Sequence, residues 1–316
     1  MRKILVTGGV GYVGRELVRQ LIAEGGSQVH ILDNLACGTH RLAQLDLNEA
    51  RLHCLDIRDT AAVRNLVQTL APDVIFHLAA VHYIPACEES PGEATAINVA
   101  GTVNLLAAVA NGARFVFAST AAVYTPGDRA YTETEGNIGP IDIYGITKLQ
   151  AETFVRYFHD CGKIDAVIVR LFNVIGAGET NPHLVPAVIS QIGRGEHRVR
   201  LGNLFPQRDY IDVRDAAEGF RRLAAAPPRG SGSAATISNL GTGKSYAVRE
   251  VVEKIGAAAQ VSLEIVQDPK RVRQNDRPRL CASTAALEAI TGWTPRRTLA
   301  ESLLAAWNAR VADGLV

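Results

Sequence analysis

The sequence predicts an α/β protein in which a doubly wound parallel sheet is followed by a smaller α/β lobe. Three observations point to this class. A strand, a glycine-rich turn and a helix open the chain; short apolar runs then alternate with helical segments; and after residue 175 the elements become shorter and are separated by prolines. Regular strand–helix alternation produces parallel pairing through right-handed crossovers. We therefore expect a first domain over residues 1–175, rejoined by part of 205–225, and a second lobe over residues 176–316.

The opening unit has the spacing of a dinucleotide-binding turn. Residues 3–6 predict a buried strand and residues 15–24 a helix with one apolar stripe. The turn between them carries four glycines: Gly8, Gly9, Gly11 and Gly14. A pyrophosphate must approach such a turn closely, where any Cβ would collide, and the helix start offers free N–H groups. A second strand over 28–32 ends in Asp33, at about the 20-residue distance expected of a ribose-binding carboxylate, which favours a Rossmann dinucleotide site over a simple packing turn.

Further apolar runs and helices continue the alternation. Strands are predicted near residues 51–57, 73–80, 114–120 and 165–172, and helices over 59–70, 94–109 and 144–161. The run 73–80 is apolar almost throughout, as expected of a parallel strand that is covered on both faces. Because ligands of open α/β sheets bind at the carboxyl ends of the strands, we expect the second lobe to pack over that edge.

Composition and charge exclude several classes of partner. Of the 316 residues, 47% are hydrophobic and 21% charged, and the formal net charge is +1, so we expect no nucleic-acid partner. No apolar run approaches the roughly 18 residues of a membrane span. The five cysteines are odd in number and scattered without metal-ligand spacing, which favours free thiols, a reducing cytoplasmic location and no metal. The chain begins directly with strand-forming residues, so we expect no cleavable leader.

Tyr144 and Lys148 place a phenol and an ammonium one helical turn apart. In an arbitrary protein such a pair is an ordinary surface feature, but here it follows a dinucleotide unit and a hydroxyl-rich strand end at Thr120. A free tyrosine has a pKa of about 10, too high for a base at neutral pH. A nearby lysine and a positive nicotinamide ring would both favour the phenolate. Thr120 would then donate or relay a hydrogen bond to the same substrate hydroxyl.

The order of motifs along the chain resembles the extended short-chain dehydrogenase/reductase family. The resemblance rests on Thr7-Gly8-Gly9-x-Gly11-x-x-Gly14, Asp33-Asn34-Leu35, Asp56-Ile57, His77-Leu78-Ala79-Ala80, Asn98-Val99-x-Gly101-Thr102, Ser119-Thr120, Tyr144-x-x-x-Lys148, Arg170-Leu171-Phe172-Asn173, Arg208-Asp209-Tyr210, Arg273-x-x-Asp276 and Gly292-Trp293-x-Pro295. The nearest branch is the NAD-dependent epimerase/dehydratase group, and within it the nucleotide-sugar epimerases that are similar to UDP-glucose 4-epimerase.

The resemblance implies a role for each matching position. It implies an NAD site with the pyrophosphate on Gly8, Gly11, Tyr12, Val13 and Gly14, the adenosine ribose on Asp33 and Asn34, the adenine at Asp56 and Ile57, and further contacts from Leu78, Ala79, Ala80, Asn98, Ala118, Tyr144 and Lys148. The implied catalytic residues are Thr120, Tyr144 as the base, and Lys148. The implied substrate contacts are Thr120, Tyr144, Asn173, His183, Leu184, Arg208, Arg273 and Asp276. A guanidinium suits a diphosphate because its fork matches paired oxygens.

Three functions remain open from the sequence. The main hypothesis is a nucleotide-sugar 4-epimerase that recycles bound NAD, because the Asp33 carboxylate would repel the 2′-phosphate of NADP. The first alternative is a reductase of a GDP- or dTDP-linked 4-keto-deoxysugar, because the segment from Gly202-Asn203-Leu204 through Arg208-Asp209-Tyr210 also resembles that of such reductases. The second is a non-catalytic NAD-binding regulator, which has no need of an intact catalytic tyrosine. Related dehydratases carry an Asp-Glu pair where this chain has Ala121-Ala122, so loss of water from the sugar is disfavoured.

Two further expectations concern surfaces. In the basic run 270–279, the family pattern assigns Arg273 and Asp276 to the substrate, and we expect Arg271, Arg277 and Arg279 on the solvated surface. The resemblance also implies a homodimer that forms through helices over residues 94–110 and 145–160.

Overall fold

The computed structural model describes residues 1–36, 38, 45, 49–110, 112–134, 138–179, 181–228, 232–272 and 276–312. Arg273, a predicted substrate contact, lies outside the described residues. Within them the strands are β1 (Arg2–Thr7), β2 (Ser27–Asp33), β3 (Ala50–Cys54), β4 (Val74–His77), β5 (Ala113–Thr120), β6 (Ile164–Leu171), β7 (Asn173–Ile175), β8 (Arg198–Leu201), β9 (Gln207–Asp212), β10 (Thr236–Leu240), β11 (Ser245–Ala247), β12 (Glu264–Gln267) and β13 (Arg279–Leu280). The helices are α1 (Tyr12–Glu24), α2 (Thr60–Leu70), α3 (Ile84–Glu89), α4 (Pro91–Thr95), α5 (Gly101–Ala108), α6 (Ile143–Asp160), α7 (Leu184–Gly193), α8 (Val213–Ala225), α9 (Val248–Ala259), α10 (Ala285–Thr291) and α11 (Leu299–Ala312).

Seven parallel strands form the central sheet, in the order β10-β6-β5-β4-β1-β2-β3. The order runs outwards from β1 in both directions, so the predicted doubly wound fold is confirmed. Helix α8, within the segment that was expected to return, packs against α1. Strand β10 also lies in this sheet, beside β6, although the sequence placed it in the second lobe. The sequence of the proline-containing loop that follows α8 does not indicate that the next strand joins the central sheet.

Apolar side chains cover both faces of the sheet, which explains why its strands are apolar almost throughout. On one face, Leu17 of α1 and Phe220 of α8 belong to a single fully buried cluster. On the other face, Val67 of α2, Leu105 of α5 and Val155 of α6 form a second cluster. This double cover leaves the carboxyl ends of the strands as the place where ligands can bind.

The second lobe has its own sheets and core. Strands β7, β9, β11 and β13 form a four-stranded sheet, and β8 pairs with β12. Helices α7, α9 and α11 enclose a core that includes Val188, Val251 and Leu303. A smaller α/β lobe is therefore present, as the sequence predicts. Across the described ranges, no helix is both long and apolar enough to traverse a bilayer.

A buried ion pair fixes α6 against the central sheet. Arg170 Nη2 donates to Glu152 Oε2 at 3.0 Å, and the two side chains are 2% and 0% exposed. Ser119 donates to Glu152 Oε1 at 2.5 Å, and Arg170 donates to the Tyr124 hydroxyl at 3.1 Å. Ser119 and Arg170 both lie near the carboxyl ends of their strands, so this network sits directly behind the edge where ligands bind.

Replacing Arg170 with Met would leave the buried Glu152 charge with Arg156 as its remaining ionic partner, and the Arg156 side chain is 40% exposed. Removal of one member of a buried pair costs about 3–5 kcal/mol, so we expect the free energy of unfolding of Arg170→Met to fall by about 3 kcal/mol, the lower end of that range, in urea denaturation. Arg198→Met is the matched control, because the side chains of its pair with Glu264 are 72% and 61% exposed. Exposed pairs contribute about 0–1 kcal/mol. Equal losses in the two variants would contradict a structural role for the buried pair.

Candidate cofactor and substrate cleft

The glycine turn between β1 and α1 forms one end of a deep cleft. Gly8 has a φ of +68°, and a Cβ on it would lie 2.7 Å from Ala79 N. A Cβ on Gly14 would lie 2.1 Å from Gly8 O, so close packing already demands glycine at both positions. Gly11, the N-cap of α1, is less confined, because its nearest neighbour would be Gly8 O at 3.0 Å. No side chain from these glycines covers the start of α1, an arrangement that fits a pyrophosphate.

Asp33 ends β2 beside this turn. Its Oδ2 accepts from Val10 N at 3.0 Å and its Oδ1 accepts from Leu35 N at 2.8 Å, so the carboxylate is held in one orientation. Each oxygen keeps a lone pair that can accept from a ribose hydroxyl. Asn34 donates to Asp56 Oδ2 at 3.1 Å. The residues predicted for the ribose and the adenine therefore lie side by side.

The cleft has a volume of about 1250 Å³ and is lined by residues of both lobes. The predicted site residues that line it are Gly8, Gly11, Tyr12, Val13, Gly14, Asp33, Asn34, Asp56, Ile57, Leu78, Ala79, Ala80, Ala118, Thr120, Tyr144, Lys148, Asn173, His183, Leu184, Arg208 and Asp276. Among the predicted site residues that the structure describes, Asn98 alone does not line the cleft.

Asn98, which was predicted to bind NAD, lies behind the cleft wall. It is fully buried in a π-helical turn, Ala96–Ala100, between α4 and α5. Its side chain accepts from Val81 N and donates to Val81 O, both at 2.9 Å, and donates to Thr147 Oγ1 at 3.0 Å. These bonds turn the amide towards the protein, so Asn98 positions the loop that follows β4. The residues of this π turn carry no sequence signal that distinguishes them from the single helix predicted over 94–109.

The carboxyl end of β5 and the start of α6 bring Thr120 and Tyr144 together. Asp142 caps α6 by accepting from Gly145 N at 2.7 Å. A Cβ on Gly145 would lie 2.5 Å from Ala122 O, so the helix start presses on the turn that follows β5. Thr120 Oγ1 accepts from Ala122 N at 3.1 Å, and it lies close enough to the Tyr144 hydroxyl to favour the phenolate by hydrogen bonding. These two residues form the Thr120–Tyr144 unit, whose hydroxyls lie next to each other in the cleft wall.

Burial controls the charge of the groups around this unit. It raises the pKa of Tyr144 well above that of an ordinary phenol, while the hydrogen bond from Thr120 lowers it. Burial also lowers the pKa of Lys148 to about 7, and the Glu152 carboxylate opposes that shift. The Lys148 Nζ lies 4.0 Å from the centre of the Phe117 ring. The residue spacing predicts that Lys148 favours the phenolate; the structure adds that desolvation opposes both charges.

Arg208 and Asp276, both predicted to contact the substrate, pair with each other on the second-lobe side of the cleft. Arg208 also donates to Arg277 O at 2.7 Å, and Asn203 donates to Asp276 at 3.0 Å. Burial lowers the pKa of Arg208, and the Asp276 carboxylate opposes this shift. The guanidinium is thus oriented before any ligand binds, and a diphosphate would share it with a carboxylate.

A cluster of histidines connects two loops across the cleft. The His183 ring centre lies 6.2 Å from that of His82 and 5.6 Å from that of Tyr83. Asn181 Nδ2 lies 2.8 Å from His82 Nε2, although the two residues are 99 positions apart. Sequence reasoning did not assign His82 or Tyr83 to the site, because no local pattern shows that these loops meet. Within the described ranges, no three His, Cys, Asp or Glu side chains are grouped as metal ligands.

Arg277 is not on the solvated surface, which corrects the expectation from the basic run. It is only 7% exposed, whereas Arg271 is exposed as predicted and Arg279 is half-buried. The Arg277 guanidinium donates to Asp142 Oδ2 at 2.8 Å and to Ala122 O at 2.9 Å. A run of like charges gives no signal of which side chain turns inward, so the sequence could not distinguish these three arginines.

Known proteins share this fold and this order of motifs. The model of the NAD dependent epimerase/dehydratase family matches residues 4–241. A GDP-6-deoxy-D-mannose reductase from Pseudomonas aeruginosa is 30% identical, with 99% of each chain covered. A UDP-glucose 4-epimerase from Streptomyces lividans is 32% identical over 97% of this chain and 95% of the relative. The structure of UDP-glucose 4-epimerase from Bifidobacterium longum in complex with NAD⁺ and UDP has a TM-score of 0.86 and 25% identity, with 99% of each chain covered.

The sequence match extends through the glycine turn, the central sheet and the Thr120–Tyr144 unit. The glycine turn and the oriented Asp33 carboxylate fit the dinucleotide that the family uses. The chain belongs to the NAD-dependent epimerase/dehydratase family, and its cofactor is NAD.

Proposed function

We propose that the protein is a nucleotide-sugar 4-epimerase that interconverts UDP-glucose and UDP-galactose. The main support is the Thr120–Tyr144 unit, which lies in a cleft lined by the glycine turn and also by Arg208. Such a cleft can hold a dinucleotide along the glycine turn and a second diphosphate at Arg208. The phenol is then left to act on the sugar.

The lining of the first lobe supports NAD as a resident cofactor. Bound NAD supplies a hydride acceptor and, once reduced, a hydride donor. The Asp33 carboxylate can accept from a ribose 2′-hydroxyl and would repel a 2′-phosphate. A resident cofactor suits an epimerase, because each turnover returns the cofactor to its starting state.

Tyr144 removes the proton of the sugar 4-hydroxyl and later returns it. Burial raises its pKa, so the phenolate requires stabilisation at neutral pH. The hydrogen bond from Thr120 supplies part of it, and the Lys148 ammonium, one helical turn away, supplies a positive charge while it is protonated. The next two side chains after Thr120 are the buried methyl groups of Ala121 and Ala122. They add no acid or base, so proton exchange at a single hydroxyl is favoured over loss of water.

Inversion at C4 also requires the 4-keto sugar to present its other face before it is reduced. Arg208 would hold the diphosphate, and Asp276 and the Arg277 carbonyl keep that guanidinium in place. The nucleotide can therefore stay bound while the sugar rotates about its linkage to the diphosphate. The contacts that hold Arg208 are on the nucleotide side of the cleft, so they would fix the nucleotide and leave the sugar free to rotate.

A reductase of a GDP- or dTDP-linked 4-keto-deoxysugar is the second candidate. It is favoured by the Pseudomonas aeruginosa relative and by Asn203, which lies in the segment that resembles such reductases and donates to Asp276. A reductase consumes one reduced cofactor in each turnover, whereas an epimerase needs no added reductant. The cofactor requirement therefore separates the two functions.

A homodimer that forms through α6 is part of this proposal. The outer face of α6 exposes three large apolar side chains: Ile146 is 39% exposed, Phe154 40% and Tyr157 62%. Exposed apolar side chains on one face of a helix are typical of contact with another protein surface. This face lies within the segment 145–160 that the family resemblance assigns to the subunit contact.

Tyr144→Phe tests the proposed base. Purified wild-type protein should convert UDP-glucose to UDP-galactose without added cofactor. The variant keeps the ring but cannot accept a proton, so we expect turnover to fall by about 10²–10⁴-fold while bound NAD is retained. Chromatography of the nucleotide sugars measures turnover, and mass spectrometry of released ligands measures bound NAD.

Tyr246→Phe is the control for this experiment, because Tyr246 lies on β11 of the second lobe and outside the cleft, so its turnover should be unchanged. Net reduction of a 4-keto sugar with strict dependence on added NADPH would identify a reductase and contradict the proposal. Wild-type protein that binds NAD but turns over no nucleotide sugar, and that Tyr144→Phe leaves unaltered, would instead indicate a regulator.

Asp33→Asn tests the preference for NAD. The substitution keeps the side-chain shape and removes the charge that would repel a 2′-phosphate. We expect the ratio of NADP to NAD affinity to rise by roughly tenfold, which corresponds to about 1.4 kcal/mol, in calorimetric titrations of both dinucleotides. Glu24→Gln makes the same charge change at the far end of α1 and should leave the ratio unaltered. A wild-type preference for NADP would contradict the role given to Asp33.

A further inference from the structure

Arg277 connects the second lobe to the start of the catalytic helix. It comes just before β13, which pairs with β9 in the second lobe. Its Nη1 donates to Asp142 Oδ2 at 2.8 Å, and its Nη2 donates to Ala122 O at 2.9 Å. Asp142 caps the helix that carries Tyr144, and Ala122 follows Thr120. One side chain from the second lobe is thus bonded to both of the elements that supply the reacting hydroxyls.

The main chain of Arg277 is bonded to the residues that face the nucleotide. Arg277 N donates to Asp276 Oδ1 at 2.8 Å, and Arg277 O accepts from Arg208 Nη1 at 2.7 Å. A continuous path of hydrogen bonds therefore runs from the Arg208 guanidinium, through Arg277, to the cap of α6 at Asp142.

We propose that Arg277 is a positioning residue that aligns Tyr144 and Thr120 for proton transfer while the second lobe holds the nucleotide. The inference rests on the proposed function, because it takes Tyr144 as the base and Arg208 as the nucleotide contact. Arg277 acts through Asp142 and the Ala122 carbonyl. The start of α6 packs closely against the turn that follows β5, because a Cβ on Gly145 would lie only 2.5 Å from Ala122 O. Small shifts of Asp142 or Ala122 would therefore move Tyr144 relative to Thr120.

Arg277 also balances a charge close to the phenol. The titratable and charged groups around the start of α6 are Cys87 and Glu88 on α3, Asp142 at the cap, Lys148 on α6, and Arg277. After burial itself, Cys87 and Asp142 raise the pKa of Tyr144. The ion pair with Arg277 offsets the Asp142 charge. Without the guanidinium, Tyr144 would keep its proton to higher pH, because an unbalanced carboxylate disfavours a nearby phenolate.

The first measurement separates kcat from KM. For Arg277→Met we expect kcat to fall by about 10–100-fold, because a small misplacement of a catalytic group is costly. The KM for UDP-glucose and the calorimetric Kd for UDP should change by less than about threefold. Arg277→Lys keeps the charge but not the two-pronged contact, so its kcat should lie between those of the wild type and Arg277→Met.

Arg279→Met is the matched control. Arg279 lies two positions further on, and its guanidinium donates to Ser245 Oγ at 3.1 Å and to Asp128 O at 2.9 Å. These contacts lie away from α6, so kcat and KM should match the wild type.

The second measurement follows the ionisation of Tyr144 by ultraviolet difference titration. For each protein, the spectrum of its Tyr144→Phe variant at the same pH is subtracted, so that only the Tyr144 signal remains. Arg277→Met should move this titration, and the rise of kcat with pH, to higher pH. Adding Asp142→Asn should reverse the shift, because asparagine still caps the helix but carries no charge. A purely structural role for Arg277 would leave the titration where it is in the wild type.

Two results would overturn the proposal. A raised KM and UDP Kd with unchanged kcat would make Arg277 a direct nucleotide ligand. Equal losses of kcat in Arg277→Met and Arg279→Met, with no shift of the titration, would make it a packing residue. If the wild type turns over neither UDP-sugar, the proposed function fails, and the Tyr144 titration alone then decides whether Arg277 acts on the phenol.

Discussion

The poor solvation of the Tyr144 phenol, which lies half-buried in the cleft wall, is the constraint on which the rest of the site depends. Burial raises the pKa of the Tyr144 phenol, the group that loses a proton in the proposed reaction, so its neighbours have to favour the phenolate. Thr120 does so by hydrogen bonding, and Lys148 by charge, although the same burial lowers the pKa of Lys148 to about 7. Glu152 helps to keep Lys148 protonated. Although burial raises the pKa of Glu152, its hydrogen bonds with Arg170 bring that pKa below its usual value. The Arg170–Glu152 ion pair therefore influences the charge of Lys148, which in turn favours the Tyr144 phenolate.

The two lobes make different contributions to this arrangement. The first lobe supplies the glycine turn, Asp33 and the hydroxyls, all at the carboxyl edge of one parallel sheet. The second supplies Arg208 and, through Arg277, a direct contact with the helix that carries the phenol. In the proposed reaction, a substrate that binds both lobes would influence the geometry of proton transfer through groups that never touch the sugar. This connection fits a reaction in which the nucleotide is held throughout while the sugar turns.

Local patterns predicted which side chains meet at the cleft, and long-range packing determined the positions that the sequence did not reveal. Glycine spacing and the one-turn separation of Tyr144 and Lys148 are properties of short segments, so they can be recognised in the sequence. The inward direction of Asn98 depends on a π turn and on its bonds to Val81, and neither leaves a pattern. Arg277 lies in a run of arginines whose members differ only in what surrounds them after folding. Strand β10 follows a loop, residues 227–233, that contains two prolines, two glycines and two serines, and such a loop does not indicate which sheet the next strand joins.

The most direct test of the account is the fate of a deuterium atom at C4 of UDP-glucose during turnover in ordinary water without added cofactor. An epimerase that oxidises and re-reduces the same carbon within one site should form UDP-galactose with the deuterium still at C4. Mass spectrometry and magnetic resonance of the product would locate the label. Deuterium that is lost to solvent, or a product that forms only when an external reductant is added, would contradict the central claim.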